Sequence, residues 1–180
     1  MEFNKIVVGA DDNIGPCRYF AGYCALNGRS GHQAGRELLK QLYSEYFGEE
    51  MPEILVEERG KPYFSDGNVH FSITHTKAHV FCALGDRPVG IDAEELDRPV
   101  NPKLAERILS PGELAQYEKA EDKNRALLTF WVLKEAAAKM TGEGLRGYPN
   151  GTNFALDDPR VQIVDNCLLA VIFQDSMNEK

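Results

Sequence analysis

The stretch from Asp122 to Gly142 has one good conformation. Residues 126–139 are dominated by Ala, Leu, Lys and Glu, which give up little freedom in a helix. Asp122 can cap the start, and Thr141-Gly142-Glu143-Gly144 supplies a stop. A helix is therefore predicted over 123–140. Within it Trp131, Glu135 and Lys139 recur at i, i+4 and i+8 and share one face. Trp131 is expected to pack against the core and support the helix.

The remaining segments are read the same way. A helix is predicted over 31–47, where Leu38, Leu39, Leu42, Tyr43 and Tyr46 follow the i, i+3, i+4, i+7, i+8 pattern and Gly48 ends it. Ser110-Pro111-Gly112-Glu113 is a capping box with Pro at the first helical position. Strands are expected at 5–8, 54–56, 69–74, 79–84, 89–94, 152–156, 161–164 and 168–173. Residues 9–13, 59–62, 65–68 and 85–88 carry turn chemistry. Each half thus holds helix and strands, and no linker separates them. The fold class is α+β, as two similar small subdomains (1–87 and 88–180) pressed together.

Composition excludes several functions. At 180 residues the chain forms one domain or two small halves. Its net charge of -8 disfavours duplex nucleic acid and anionic membrane surfaces as partners, although one cleft can still be locally basic. No run of about 18 apolar residues is present to form a membrane helix, and the first residues lack a secretory pattern. Cys17, Cys24, Cys82 and Cys167 form no CxxC pair and read as reduced thiols. A cytoplasmic protein is expected.

Chemistry concentrates in two places. Asp92 and Glu94 lie two apart on an apolar strand, so their carboxylates share a face, and Glu95 and Asp97 add charge nearby. Glu135 could complete a three-oxygen site. Three carboxylates crowd together only around a cation, and few hard oxygen ligands suit Mg²⁺, which takes the rest of its shell from water and substrate phosphates. The spacing also admits a solvated strand edge and a surface Glu–Lys pair. His70, His75 and His79 lack a further ligand at zinc spacing. Gly142-x-Gly144 is followed by no GK[ST], and 7–15 lacks GxGxxG spacing.

Val89-Gly90-Ile91-Asp92-Ala93-Glu94 resembles the GxDxE element of 4′-phosphopantetheinyl transferases. Residues 131–139 resemble their WxxKEAxxK element, matched at Trp131, Lys134, Glu135, Ala136 and Lys139. Gly60-Lys61-Pro62-Tyr63-Phe64, Phe71-Ser72-Ile73-Thr74-His75-Thr76 and Gly142-Glu143-Gly144-Leu145 resemble further family segments in the same order. The chain is most similar to the pseudo-dimeric, monomeric class of the surfactin-synthetase-activating type. The short homotrimeric holo-acyl-carrier-protein synthases lack the duplicated half.

That resemblance implies an intramolecular pseudo-dimer with its active site between the halves. The implied activity moves phosphopantetheine from coenzyme A to a serine of an apo acyl or peptidyl carrier protein, releasing 3′,5′-ADP. It needs Mg²⁺, for which Mn²⁺ can substitute. By match, Asp92, Glu94 and Glu135 hold the ion, Glu135 is the base for the serine, and Lys139 offsets charge on the leaving diphosphate. Lys61, Thr74 and His75 match positions that meet the 3′-phosphate, Thr74 standing where Ser is usual. Arg36 fits a further basic position better than Arg29 does. Lys134 points about 100° from Glu135, toward the surface as readily as toward the site.

Two other readings stay open: a metal-dependent phosphohydrolase or nucleotidyl enzyme using the same acids, and a non-catalytic module that binds coenzyme A or a carrier protein. A monomer is expected. Carrier docking is expected on a local patch near 98–125, combining Arg98, Lys103, Arg107, Lys119, Lys123 and Arg125 with Leu104, Ile108 and Leu114.

Overall fold

The computed structural model describes residues 2–6, 19–144 and 153–174. Ser30 opens helix α1 (Gly31–Phe47) by accepting the Gln33 backbone N–H at 3.2 Å, and Gly48, at φ 67°, closes it. Leu38, Leu39 and Leu42 on its apolar stripe are fully buried with Cys24, Val80 and Cys82. They lie on an antiparallel sheet of β1 (Asn4–Ile6), β2 (Tyr19–Ala25), β5 (His70–His75) and β6 (His79–Gly85), in the order β1-β2-β6-β5. The short hairpin of β3 (Ile54–Val56) and β4 (Pro62–Phe64) closes this half, with Phe64 buried in its core.

The second half repeats the principle with different strands. β7 (Val89–Glu95) and β8 (Val161–Val164) flank β9 (Cys167–Phe173) in an antiparallel sheet. Every residue of β9 is buried, so its alternation sorts side chains between two cores, not between core and water. Leu168, Ala170 and Ile172 face the long helix α4 (Lys123–Thr141), with Leu128, Val132 and Leu133. Leu169, Val171 and Phe173 face the first sheet, meeting Ala21, Phe81 and Ala83. The layers therefore run helix, sheet, sheet, helix.

The two sheets meet at β5 and β7, strands of separate sheets joined through side chains. The Ile91 backbone N–H donates to Ser72 Oγ at 3.1 Å, and Thr74 Oγ1 donates to Asp92 Oδ1 at 3.0 Å. On the far side His79 Nε2 pairs with Asp165 Oδ2 at 2.8 Å, tying β6 to the β8–β9 turn. That turn has Asp165 and Asn166 both at positive φ (45° and 61°), the requirement of a two-residue type I′ hairpin.

Several expected elements are revised. Residues 153–156 are not a strand. The Phe154 and Leu156 backbone N–H groups donate to the side chains of Glu113 (3.0 Å) and Gln116 (2.9 Å), which replace a strand neighbour. Pro62 begins β4 where only a turn was expected, and β2 had no predicted counterpart. The first strand is Asn4–Ile6. Val7, Val8, the 9–13 turn, Cys17, Leu145 and Thr152 lie outside the described residues.

β7 lies unusually close to α4. A Cβ built on Gly90 would collide with the Ala136 carbonyl oxygen and stand 2.6 Å from the Met140 backbone nitrogen. No side chain fits, so the glycine sets the spacing of strand and helix. Gly90→Ala is expected to destabilise the fold by about 1–3 kcal/mol or more through forced displacement of α4. Urea unfolding checks this; wild-type stability in the variant would mean that the helix can retreat freely.

Candidate active site

Alternation along β7 separates packing from chemistry. Val89, Ile91 and Ala93 enter the core between the sheets, which leaves Gly90, Asp92 and Glu94 on the α4 side. From 131 to 140, α4 is buried everywhere except at Trp131, Glu135 and Lys139, which are half-buried. The predicted stripe is therefore the part of that helix open to ligand, and it lies along the acidic side of β7.

Asp92 is 5% exposed. Lys139 Nζ reaches its Oδ1 at 2.6 Å, and Thr74 Oγ1 donates to the same oxygen. Among the described residues Oδ2 has no hydrogen-bond partner. Burial pushes the Asp92 carboxyl above its usual range, opposed chiefly by the Lys139 ammonium. Glu135 is pushed the same way, by burial first and then by the negative charge of Asp92, with Glu94 adding to it. Glu94 pairs with Arg98, whose guanidinium also sits 5.8 Å from the centre of the Trp131 ring.

The three acids thus share one face, but with Lys139 and Arg98 set among them. No group of three His, Cys, Asp or Glu side chains forms a ready cage among the described residues. A buried carboxylate oxygen without a partner, next to two more carboxylates, nonetheless fits a hard divalent cation.

A cleft of about 320 Å³ opens beside this face, lined by Lys61, Ser72, Ile73, Glu135, Lys139 and Gly142. Its walls come from both halves. Lys61 crosses between them and donates to the carbonyl oxygen of Met140 in the last turn of α4, where the helix dipole welcomes a cation. Burial lowers the Lys61 pKa, with Glu57 opposing. An adjoining cavity of about 450 Å³ lies along Lys61, Tyr63, His70 and Gln174.

The other predicted residues fall in several places. Thr74 is buried and spends its hydroxyl on Asp92. His75 is exposed at the end of β5, its ring close against Gly31 at the start of α1. Arg36 is half-buried on α1 and does not line the 320 Å³ cleft. Arg29 bonds the carbonyls of Ala25 (2.8 Å) and Leu26 (3.0 Å) and pairs with Glu37, an anchor for the turn into α1. In the expected docking patch, Lys103 and Arg107 are exposed, whereas Leu104, Ile108 and Leu114 pack on the core beneath.

Lys134 is not a surface residue. It is 1% exposed and lies 2.8 Å from Glu113 Oε2. Glu113 also accepts the Ser110 and Phe154 backbone N–H groups, so one acid joins the cap of α3 (Pro111–Lys119), the loop at 154 and α4. Sequence reasoning also missed Asn124. Its amide donates to the Arg98 carbonyl (2.9 Å) and accepts the Val100 N–H (2.8 Å), pinning the segment after β7 to α4. A lone Asn in the first turn of a helix gives no signal of that reach.

Residues 88–172 match the model of the 4′-phosphopantetheinyl transferase superfamily. The chain is 33% identical over 116 residues to the 4′-phosphopantetheinyl transferase psf-1 of Bacillus pumilus, covering 62% of this chain and 49% of that protein. It is 36% identical over 93 residues to Sfp of Bacillus subtilis strain 168, covering 49% and 41%. It is 36% identical over 120 residues to AcpT of Salmonella typhi, covering 63% and 59%. The chain spans about half the length of the curated relatives it matches.

Two ion networks give separable expectations. Thr74→Val removes a donor from a buried carboxylate and should cost about 1–3 kcal/mol in denaturant unfolding, with Thr74→Ser near wild type. Lys134→Met strands Glu113 and should cost about 3–5 kcal/mol, while the Lys134→Met/Glu113→Gln double variant should recover much of that loss. A double variant no more stable than Lys134→Met would place the damage in packing.

Proposed function

We propose that the chain transfers the 4′-phosphopantetheine group of coenzyme A to a serine hydroxyl of an apo acyl or peptidyl carrier protein, releasing 3′,5′-ADP. The observation that carries this reading is the buried Oδ2 of Asp92, without a partner among the described residues, on the face shared with Glu94 and Glu135 and beside an inter-half cleft that Glu135 and Lys139 line. The match of 88–172 to the superfamily model supports it. Asp92, Glu94 and Glu135 would hold Mg²⁺ or Mn²⁺, which when bound draws negative charge from diphosphate oxygens.

The residues take complementary roles. Glu135, half-buried with a raised proton affinity, accepts the proton of the incoming serine hydroxyl directly or through water. Lys139, on the same helix face and lining the cleft, offsets charge on the leaving diphosphate. Lys61 meets the 3′-phosphate by leaving the Met140 carbonyl, with His75 and Arg36 as further contacts. Thr74 serves by orienting Asp92. The halves 1–87 and 88–180 form an intramolecular pseudo-dimer that works as a monomer in the cytoplasm. The exposed bases Lys103 and Arg107 present a positive docking point to an acidic carrier on a chain of net charge -8.

Intact-mass analysis of apo carrier proteins, incubated with coenzyme A and Mg²⁺, tests the reading. The expected result is a mass gain of one phosphopantetheine, lost on adding EDTA and lost in a folded Asp92→Ala variant. Lys61→Ala should weaken coenzyme A at least about tenfold and dephospho-coenzyme A far less, the loss of one charge-assisted contact. No mass gain on any carrier, with phosphate released from nucleotides instead, would overturn the transferase in favour of a phosphohydrolase.

A further inference from the structure

We infer that Arg98 is an exchangeable counter-ion of Glu94, a positioning residue that a divalent cation must displace to use that carboxylate. The inference rests on the proposed cation centre and concerns how this chain's own residues regulate it. Arg98 pairs with Glu94, and its guanidinium covers the Trp131 ring. Asn124 holds the Arg98 backbone against α4, so the side chain starts from a fixed point. The pair differs from its neighbour in solvent access: the Arg98 side chain is 43% exposed, against 32% for Lys139 and 7% for Asp92. A partly solvated ion pair is worth little, so it yields to a stronger ligand. Among the described residues Asp92 keeps one oxygen without a partner, while Lys139 holds the other. Glu94 is instead met by a cation that can leave, and departure of Arg98 also uncovers the face of Trp131.

The chain has a single tryptophan, so the exchange carries its own optical signal. The test titrates Mg²⁺ alone into the full chain, without coenzyme A, following binding by calorimetry and Trp131 by fluorescence. In the wild type, binding should shift Trp131 emission as the guanidinium leaves the ring. Arg98→Ala should bind Mg²⁺ roughly three- to fivefold more tightly, the equivalent of an exposed ion pair no longer competing, and should show no emission shift on binding. Arg98→Lys should return affinity toward the wild-type value. Equal or weaker Mg²⁺ binding by Arg98→Ala, or the same emission shift in wild type and variant, would overturn the exchange and leave the cation centre standing. Absence of Mg²⁺ binding in all three proteins would overturn the centre itself and the exchange with it.

Discussion

The candidate functional face exists because β7 and α4 approach more closely than any side chain would permit at Gly90. Close approach puts the acidic side of the strand directly over the helix. Four strand steps at about 3.3 Å match nine helix residues at about 1.5 Å. Gly90, Asp92 and Glu94 therefore run alongside Met140, Lys139, Glu135 and Trp131 in reverse order. Spacing two apart on one element and four apart on the other become neighbours only in this antiparallel alignment. A wider gap would leave Asp92 beyond reach of Lys139 and open to water.

Two buried acids show how the same helix serves structure and chemistry. Glu113 is fully enclosed, and Lys134 and two backbone N–H groups satisfy it. Asp92 is nearly as enclosed, yet one oxygen is without a partner among the described residues and burial holds its carboxyl above the ordinary range. A satisfied buried ion pair fixes the rotation of α4; an under-satisfied one stores a demand for positive charge. The lysines that make the difference are five residues apart on α4, one facing the core and one facing the cleft.

The site was legible where periodicity speaks. Helical spacing placed Trp131, Glu135 and Lys139 on the open stripe, and strand alternation placed Asp92 and Glu94 on one side. The caps at Ser110 and Asp122 marked helix starts that the fold uses. What stayed hidden depends on partners distant in the chain. Lys134 has the spacing of a surface residue until Glu113 arrives from another helix. Residues 153–156 have strand composition, but their hydrogen bonds go to Glu113 and Gln116. Arg98 and Asn124 belong to no pattern, because a turn and a helix end bring them together. Thr74 carried a hydroxyl in the expected place, whereas its acceptor here is Asp92.

Along the β5–β7 edge the polar links between the sheets are the hydroxyls of Ser72 and Thr74, with no shared ladder, while the apolar layer behind them and the His79–Asp165 pair hold the rest of the seam. A ladder yields as a row, but single hydroxyls can trade partners with water one at a time. Opening at that edge would therefore cost two hydrogen bonds and would leave every strand ladder intact.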